Sequence, residues 1–176
     1  PAQAYEPPTP GSPATLTDSR WLARPPVGQR HVISDAWAKQ KLPATDGGFL
    51  VLEAAGPGVL DHIWTTNRPG RLTIQVDGKP FWSGSLGEAD RKGDSLGIIP
   101  KPLVFAAAGQ CHWLAPVGFA RSLRIVCDKP EMERYVSYRT LPAGTPVVVA
   151  DADPSGSYVK GLVEAATAWK PGGFGS

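Results

Sequence analysis

Three histidines are the residues best suited to act as a general base or a metal ligand near neutral pH. They are His31, His62 and His112. No nucleophile elbow, phosphate loop, HExxH segment or dinucleotide fingerprint accompanies them. His62 lies in an apolar, strand-like segment in which Leu60, His62 and Trp64 are expected to share one face. We therefore expect His62 and His112 to be hydrogen-bonded side chains near the core, and nothing in the histidine spacing points to a metal site.

Carboxylic acids are the second group that could do chemistry, because glycoside hydrolysis uses a pair of them. The acids in suitable segments are Glu53, Asp61, Asp77, Glu88, Asp90 and Asp94. Asp77 precedes Gly78, and an Asp-Gly pair is typical of a turn, so its presence requires no catalytic role. The last three acids lie in a polar, glycine-containing stretch that is typical of a solvated loop, and they lack the alternate-position spacing of an EF-hand calcium loop. The residues alone therefore assign no catalytic residue, no metal and no cofactor.

Three tryptophans in predicted strands, Trp64, Trp82 and Trp113, are candidate carbohydrate-binding residues. The apolar C–H face of a sugar ring complements the π surface of an exposed indole. The alternative is packing in the core or at a subunit interface, because a tryptophan buries about 200 Å² and dominates interface energetics. The sequence leaves both interpretations open.

The two cysteines, Cys111 and Cys127, lie in apolar, strand-like stretches and could form a disulfide between neighbouring strands. The alternative is a pair of buried thiols. No CxxC or nearby histidine pair accompanies them, so zinc is not expected. The sequence begins with Pro1 rather than Met. We expect that a leader was removed before Pro1 and that the protein is secreted or extracytoplasmic, the alternative being that the sequence was cut from a longer chain.

The elements that must position these residues are strands, because 20 Gly and 19 Pro among 176 residues exclude a helical bundle. No apolar run is long enough for a membrane span. The net charge is +2, with the basic residues scattered, so nucleic acid is not expected as a partner. The length fits a single domain with its own core.

Apolar segments separated by turn residues predict an all-β fold, a single jelly-roll sandwich of about eight strands. The predicted strands are 49–53, 59–66, 71–76, 81–82, 103–107, 111–115, 122–127, 134–140 and 146–150. Leu72, Ile74 and Val76 alternate with polar residues, which is the pattern of a strand with one wet face. Asp77-Gly78 predicts the hairpin turn that follows.

The predicted organisation has three parts. Residues 1–13 contain five prolines and are expected to form an extended arm that is either loose or laid over another subunit. Residues 14–150 form the jelly-roll domain, with Trp21 and Trp37 as expected anchors of its poorly patterned first part. Residues 151–176 form a short helix and a glycine-rich tail, the helix having an apolar stripe of Val159, Leu162, Val163 and Ala166.

Four segments resemble one known family. They are LPATDGGFLVLEAAGPGVLDHIWTT (42–66), LTIQVDGKP (72–80), CHWLAPVGFARSLRI (111–125) and YVSYR (135–139). The chain is similar through them to the N-terminal half of glycoside hydrolase family 172, long filed as a domain of unknown function. The resemblance covers roughly residues 20–142, and its first segment is the most specific.

The resemblance implies two jelly rolls in tandem, assembly into trimers or higher multiples, and activity on fructo- and arabinofuranosyl substrates. The two catalytic glutamates that the family implies belong to its second jelly roll, around a Gly-Thr-Glu-Asp type of segment. No such segment occurs in this sequence. The resemblance therefore transfers no catalytic residue to this chain.

Three functions remain open at this point. A secreted jelly roll related to the non-catalytic half of a furanosidase could act in assembly or in carbohydrate association, with a homo-oligomer or a second jelly roll as its partner. It could instead be one half of an active glycoside hydrolase that a partner chain or second domain completes. It could also be a structural subunit of a fibre or capsid-like assembly.

Overall fold

The structure, a computed structural model, describes residues 6–18, 27–35, 41–66, 70–88 and 97–168. These residues form eleven β-strands, one 3₁₀ helix and one α-helix. The strands are β1 (Gln29–Ser34), β2 (Ala44–Thr45), β3 (Gly48–Ala55), β4 (Gly58–Thr66), β5 (Leu72–Val76), β6 (Lys79–Gly84), β7 (Val104–Ala107), β8 (Gln110–Trp113), β9 (Val117–Phe119), β10 (Ser122–Cys127) and β11 (Arg134–Thr140). The 3₁₀ helix spans Pro13–Leu16, and helix α1 spans Ser157–Ala168.

The strands form two antiparallel sheets. Sheet A has the order β1-β11-β4-β8-β7, with β9 also pairing with β4, and sheet B has the order β2-β3-β10-β5-β6. When the outermost strands β2 and β7 and the off-path strand β9 are set aside, two four-stranded ladders remain. Their orders, β1-β11-β4-β8 and β3-β10-β5-β6, place consecutive strands such as β3 and β4 in different sheets, which is jelly-roll winding. The predicted all-β sandwich is confirmed.

The segment predicted as a last strand, 146–150, does not join a ladder. Val148 N–H donates to Pro10 O and Ala150 N–H donates to Gly118 O, both at 2.9 Å. The two backbone groups thus bond to two different segments, and a single bond to each does not make a strand pair. Trp21 and Trp37 lie outside the described residues.

The core lies between the sheets and follows the period-two pattern. Leu72, Ile74 and Val76 are buried, whereas Thr73 and Gln75 between them are partly exposed, as their alternation predicts. The residues at the centre of the core are large and fully buried. They include Trp113, Phe119, Leu60, Ile63, Ile74, Leu123 and Ile125.

The proline-rich segment, where it is described, lies on its own chain. Pro13 and Thr15 of the 3₁₀ helix are buried. A Cβ on Gly161 of helix α1 would lie 3.2 Å from the ring of Pro13, so the missing side chain allows this close contact. Residues 1–5 lie outside the described part of the chain.

Helix α1 lies within the segment 151–176, in which a short helix is predicted, but it buries a different stripe. Val163 is 50 % exposed, so its predicted place in the apolar stripe is wrong. The buried residues are Tyr158, Val159, Leu162, Ala165 and Ala166. At 100° per residue, Val163 falls roughly 100° from the centre of that stripe. Within the described residues, no helix combines the length and the apolarity that crossing a membrane requires.

Asp77 does more than form the β5–β6 turn. Its φ of 52° is tolerated by Asp and Asn in tight turns. Its carboxylate accepts hydrogen bonds from the backbone N–H groups of Ala120, Arg121 and Ser122 at 3.2, 2.7 and 2.9 Å. Burial alone would raise the pKa of Asp77, but these three N–H groups and the Arg121 charge outweigh it and lower the pKa. The turn is therefore fastened to the start of β10.

Replacing Asp77 by Asn is expected to lower the free energy of unfolding at pH 7 by on the order of 1 kcal/mol, a value kept small because the site is exposed to solvent. The depressed pKa makes this contribution present above about pH 4 and lost as the pH falls through the folded-state value. Urea unfolding of both proteins at pH 7 and pH 3 measures it. Asp46→Asn, an exposed aspartate that likewise precedes a glycine in a turn, serves as the control. A gap between wild type and D77N that does not shrink at pH 3 would contradict this assignment.

Candidate functional site

The outward face of sheet A carries a row of aromatic rings, which we call the aromatic face. It consists of Tyr135, Trp64, His112 and Phe105, together with His62. Tyr135 pairs with Trp64, Trp64 with His112, and His112 with Phe105, so four neighbouring strands place one ring each in the same row. All five side chains are partly exposed.

The predicted faces of β4 differ from the observed ones because β4 contains a bulge. The register pairs Ser137 with His62 but Tyr138 with Leu60, which leaves Asp61 as the extra residue. A bulge interrupts the alternation of faces. Leu60 is therefore in the core, while His62 points outward. The prediction that Leu60 and His62 share a face is wrong.

His62 and His112 form a hydrogen-bonded pair on this face. The distance from His62 Nε2 to His112 Nδ1 is 3.3 Å, and the ring planes lie within 9° of each other. Burial lowers the pKa of both imidazoles, and for His62 the charges of His112 and Arg30 lower it further. Both rings are therefore predominantly neutral at pH 7. The prediction of hydrogen-bonded histidines is correct, but they lie outside the core.

Three rings of the aromatic face, those of Phe105, His112 and His62, stand on edge. Phe105 and His112 stack with centroids 4.7 Å apart and planes 11° apart. That distance matches the spacing of adjacent strands, about 4.8 Å, so each ring covers one side of its neighbour. His62 is parallel to His112, and Tyr135 tilts against His62 with centroids 5.7 Å apart. At Phe105, His112 and His62 the surface consequently presents ring edges and polar atoms rather than ring faces.

Of the three candidate tryptophans, only Trp64 lies on the aromatic face. Its Nε1–H donates to Gln110 Oε1 at 3.0 Å. Trp82 and Trp113 are 8 % and 0 % exposed and meet edge to face in the core, with centroids 5.0 Å apart. Neither ring presents a face to solvent, so the predicted carbohydrate-binding role of Trp82 and Trp113 does not fit this structure. Trp113 is buried by the alternation of β8, whereas Trp82 is buried beside Phe81 at a register shift between β5 and β6.

The outward face of sheet B has the opposite character. Arg124 lies between Glu53 and Gln75 on the neighbouring strands, and its guanidinium is 3.8 Å from the Glu53 carboxylate. Further along this face, Arg71 and Thr73 each bond to Ser83 at 3.1 Å. One face of the sandwich is therefore aromatic, and the other is charged and hydroxyl-rich.

Several acids are held in contacts that maintain the fold. Arg139 binds Asp61 through Nε and Nη2, with distances from 2.8 to 3.1 Å. Arg134 binds Asp35 at 2.8 Å. The pKa of Asp77 is lowered, which is opposite to the direction that a glycosidase general acid requires. These acids are therefore poor candidates for acid catalysis. Asp90 and Asp94 lie outside the described residues.

Cys111 and Cys127 are buried thiols with no disulfide between them, so the predicted bridge is not formed in this structure. They lie on different sheets, Cys111 on β8 and Cys127 on β10, and so are not on the neighbouring strands that the sequence suggested. Burial raises the pKa of Cys127. Among the described residues, no cluster of three or more His, Cys, Asp or Glu side chains is arranged to hold a metal ion.

The two packed antiparallel sheets, wound as a jelly roll and aromatic on one outer face, define the chain as a β-sandwich module. A family model described as GH172 first beta-sandwich domain matches residues 32–154. That range is more than two thirds of the chain, and the chain belongs to this family, glycoside hydrolase family 172. The predicted resemblance is confirmed. No curated protein matches the chain.

Proposed function

We propose that this chain is a non-catalytic β-sandwich of a furanosidase-type glycoside hydrolase, and that its aromatic face docks a second β-sandwich. The observation that carries the proposal is the contrast between the two outer faces. Sheet A presents Tyr135, Trp64 and Phe105, whereas sheet B presents paired charges. The family description, a first sandwich domain, supports a second sandwich as the occupant.

The chemistry of the aromatic face suits a protein partner. Interface cores are enriched in aromatic residues and arginine and depleted of other charged residues. Rings standing on edge are already held by their neighbours, so docking would order few additional side chains. Arg30 Nη2 donates to Tyr135 Oη at 3.3 Å at the border of the face, which provides a polar rim.

A non-catalytic role is supported by the contacts that hold three of the acidic side chains. Asp61 and Asp35 are each held by an arginine, and the carboxylate of Asp77 is held by backbone N–H groups. None of these three is available to protonate a leaving group without breaking a contact that maintains the fold. The proposal therefore assigns the chemistry to the second sandwich and assembly to this one.

The test mixes this chain with the isolated second sandwich of a family 172 protein and measures association by sedimentation velocity and titration calorimetry. Trp64→Ala combined with Phe105→Ala should weaken association at least about tenfold, because hot-spot aromatics dominate interfaces. Thr73→Ala combined with Gln75→Ala, on the face of sheet B, is the matched control and should bind like wild type. Hydrolysis of arabinofuranosyl and fructofuranosyl substrates is expected only of the complex.

Loss of association in the control pair but not in the aromatic pair would contradict the choice of face. A chain that self-associates through Trp64 and Phe105 and ignores the second sandwich would identify a homo-oligomer instead. Hydrolysis by this chain alone would contradict the non-catalytic role. Secretion also remains part of the proposal, and fractionation of the native host tests it.

Carbohydrate association is the second candidate, favoured by the partial exposure of Trp64. Trp64 would stack one sugar ring, with the amide of Gln110 beside it as a polar contact. Titration with arabinofuranosyl and fructofuranosyl oligosaccharides tests this role. Binding lost in Trp64→Ala and kept in Phe105→Ala would support a sugar site, and absence of binding in wild type would remove it.

A further inference from the structure

The fold converts two histidines that are distant in sequence into neighbours. Trp64 pairs with His112 across β4 and β8, and His62 lies two residues before Trp64 on the same outward face. His62 and His112 are therefore diagonal cross-strand neighbours, a position from which long side chains reach each other. Their facing nitrogens are 3.3 Å apart.

We propose that His62 Nε2 and His112 Nδ1 bind one divalent zinc ion at the outer surface of sheet A. Two nitrogens bound to the same tetrahedral zinc, each at about 2.0–2.1 Å, are about 3.3–3.4 Å apart. The observed separation is that of a hydrogen bond in which the two nitrogens face each other, and a tilt of both rings at this separation would direct their lone pairs to one ion.

Both rings are prepared for this role. Burial lowers the pKa of each, so they are neutral at pH 7, the form in which imidazole binds a metal. Phe105 stacks on His112 and Tyr135 packs against His62, so the two rings are held in place by neighbouring strands. Both side chains are partly exposed, which gives an ion access from solvent.

The proton balance of binding is simple. In the hydrogen-bonded pair, one facing nitrogen carries a proton and donates a hydrogen bond, and the other nitrogen accepts that bond through its lone pair. For both to bind zinc, the donor ring moves its proton to its other nitrogen, and no proton is released overall. Among the described residues, no third His, Cys, Asp or Glu side chain lies with these two in a group that could hold a metal ion. Two of the four tetrahedral positions are therefore left for water or for a donor from a docked partner.

The site requires only His62 and His112 and does not depend on the docking of a second sandwich. Calorimetric titration of the full chain with zinc in a non-chelating buffer should give one equivalent. His62→Asn and His112→Asn should each weaken binding at least about tenfold, since even outer partners of metal ligands contribute tenfold or more. His31→Asn is the matched control, because His31 lies elsewhere on the sheet and bonds to Thr140 at 2.9 Å.

The proposal is overturned if wild type binds no zinc, if His62→Asn and His112→Asn bind as wild type does, or if His31→Asn loses binding equally. If His62→Asn or His112→Asn fails to fold, the imidazole NMR signals of the wild-type protein provide the test instead. Zinc should shift the signals of His62 and His112 and leave those of His31 in place, whereas magnesium, which prefers oxygen ligands, should shift none. A zinc response from His31 alone, or from none, refutes the site.

Discussion

Replacing Trp113 by alanine is expected to lower the free energy of unfolding by about 3–5 kcal/mol, the usual range for a buried large aromatic. Trp113 is 0 % exposed and meets Trp82 and Phe81 edge to face, with centroids 5.0 and 6.5 Å apart. Its Nε1–H donates to Ala115 O at 2.8 Å. The substitution would open a cavity between the sheets and leave that carbonyl without its donor. Chemical denaturation at pH 7 measures the loss.

Trp64→Ala is the matched control, because it removes the same side chain from the outward face of the next strand. It should cost much less than Trp113→Ala, since Trp64 is partly exposed and lies outside the core cluster. Equal losses for the two variants would show that the aromatic face contributes to stability as the core does. That result would also weaken the case for a docking surface there.

The amino-acid pattern predicts most of the sandwich, because strands with one wet face follow period two. Strand β11 lies at its predicted bounds, 134–140, and Leu72, Ile74 and Val76 are buried as their alternation indicates. In these segments burial alone decides which side chain points inward, and burial is encoded by residue type. The prediction of family membership is also confirmed, through segments with specific residues rather than through alternation.

The aromatic face could not be predicted because it depends on a bulge and on register. A bulge at Asp61 moves His62 to the opposite face from Leu60, and no residue type in the segment marks it. The pairing of Trp64 with His112 then places two imidazoles 3.3 Å apart across 50 residues of sequence. Cross-strand register arises from the packing of whole sheets. Strand-by-strand analysis therefore assigns these histidines one at a time and misses the pair.

Replacing Arg134 by methionine is the second change expected to be strongly destabilising, by roughly 3 kcal/mol. Arg134 lies on β11 of sheet A, and its Nε donates to Asp35 Oδ2 at 2.8 Å. Its Nη1 also donates to the carbonyl of Val51 on β3 of sheet B. The two charged side chains are only 12 % and 16 % exposed. Methionine would leave the Asp35 carboxylate largely desolvated without a cation, and it would remove a link between the sheets.

Arg124→Met is the control for this prediction, because Arg124 is 3.8 Å from a Glu53 side chain that is 61 % exposed. An exposed pair of this kind contributes about 0–1 kcal/mol. The double variant Asp35→Asn with Arg134→Met should be less destabilised than the sum of its single variants, since it removes the carboxylate that Arg134→Met leaves unpaired. Additive losses would mean that Arg134 stabilises the fold through its bond to the Val51 carbonyl rather than through the ion pair.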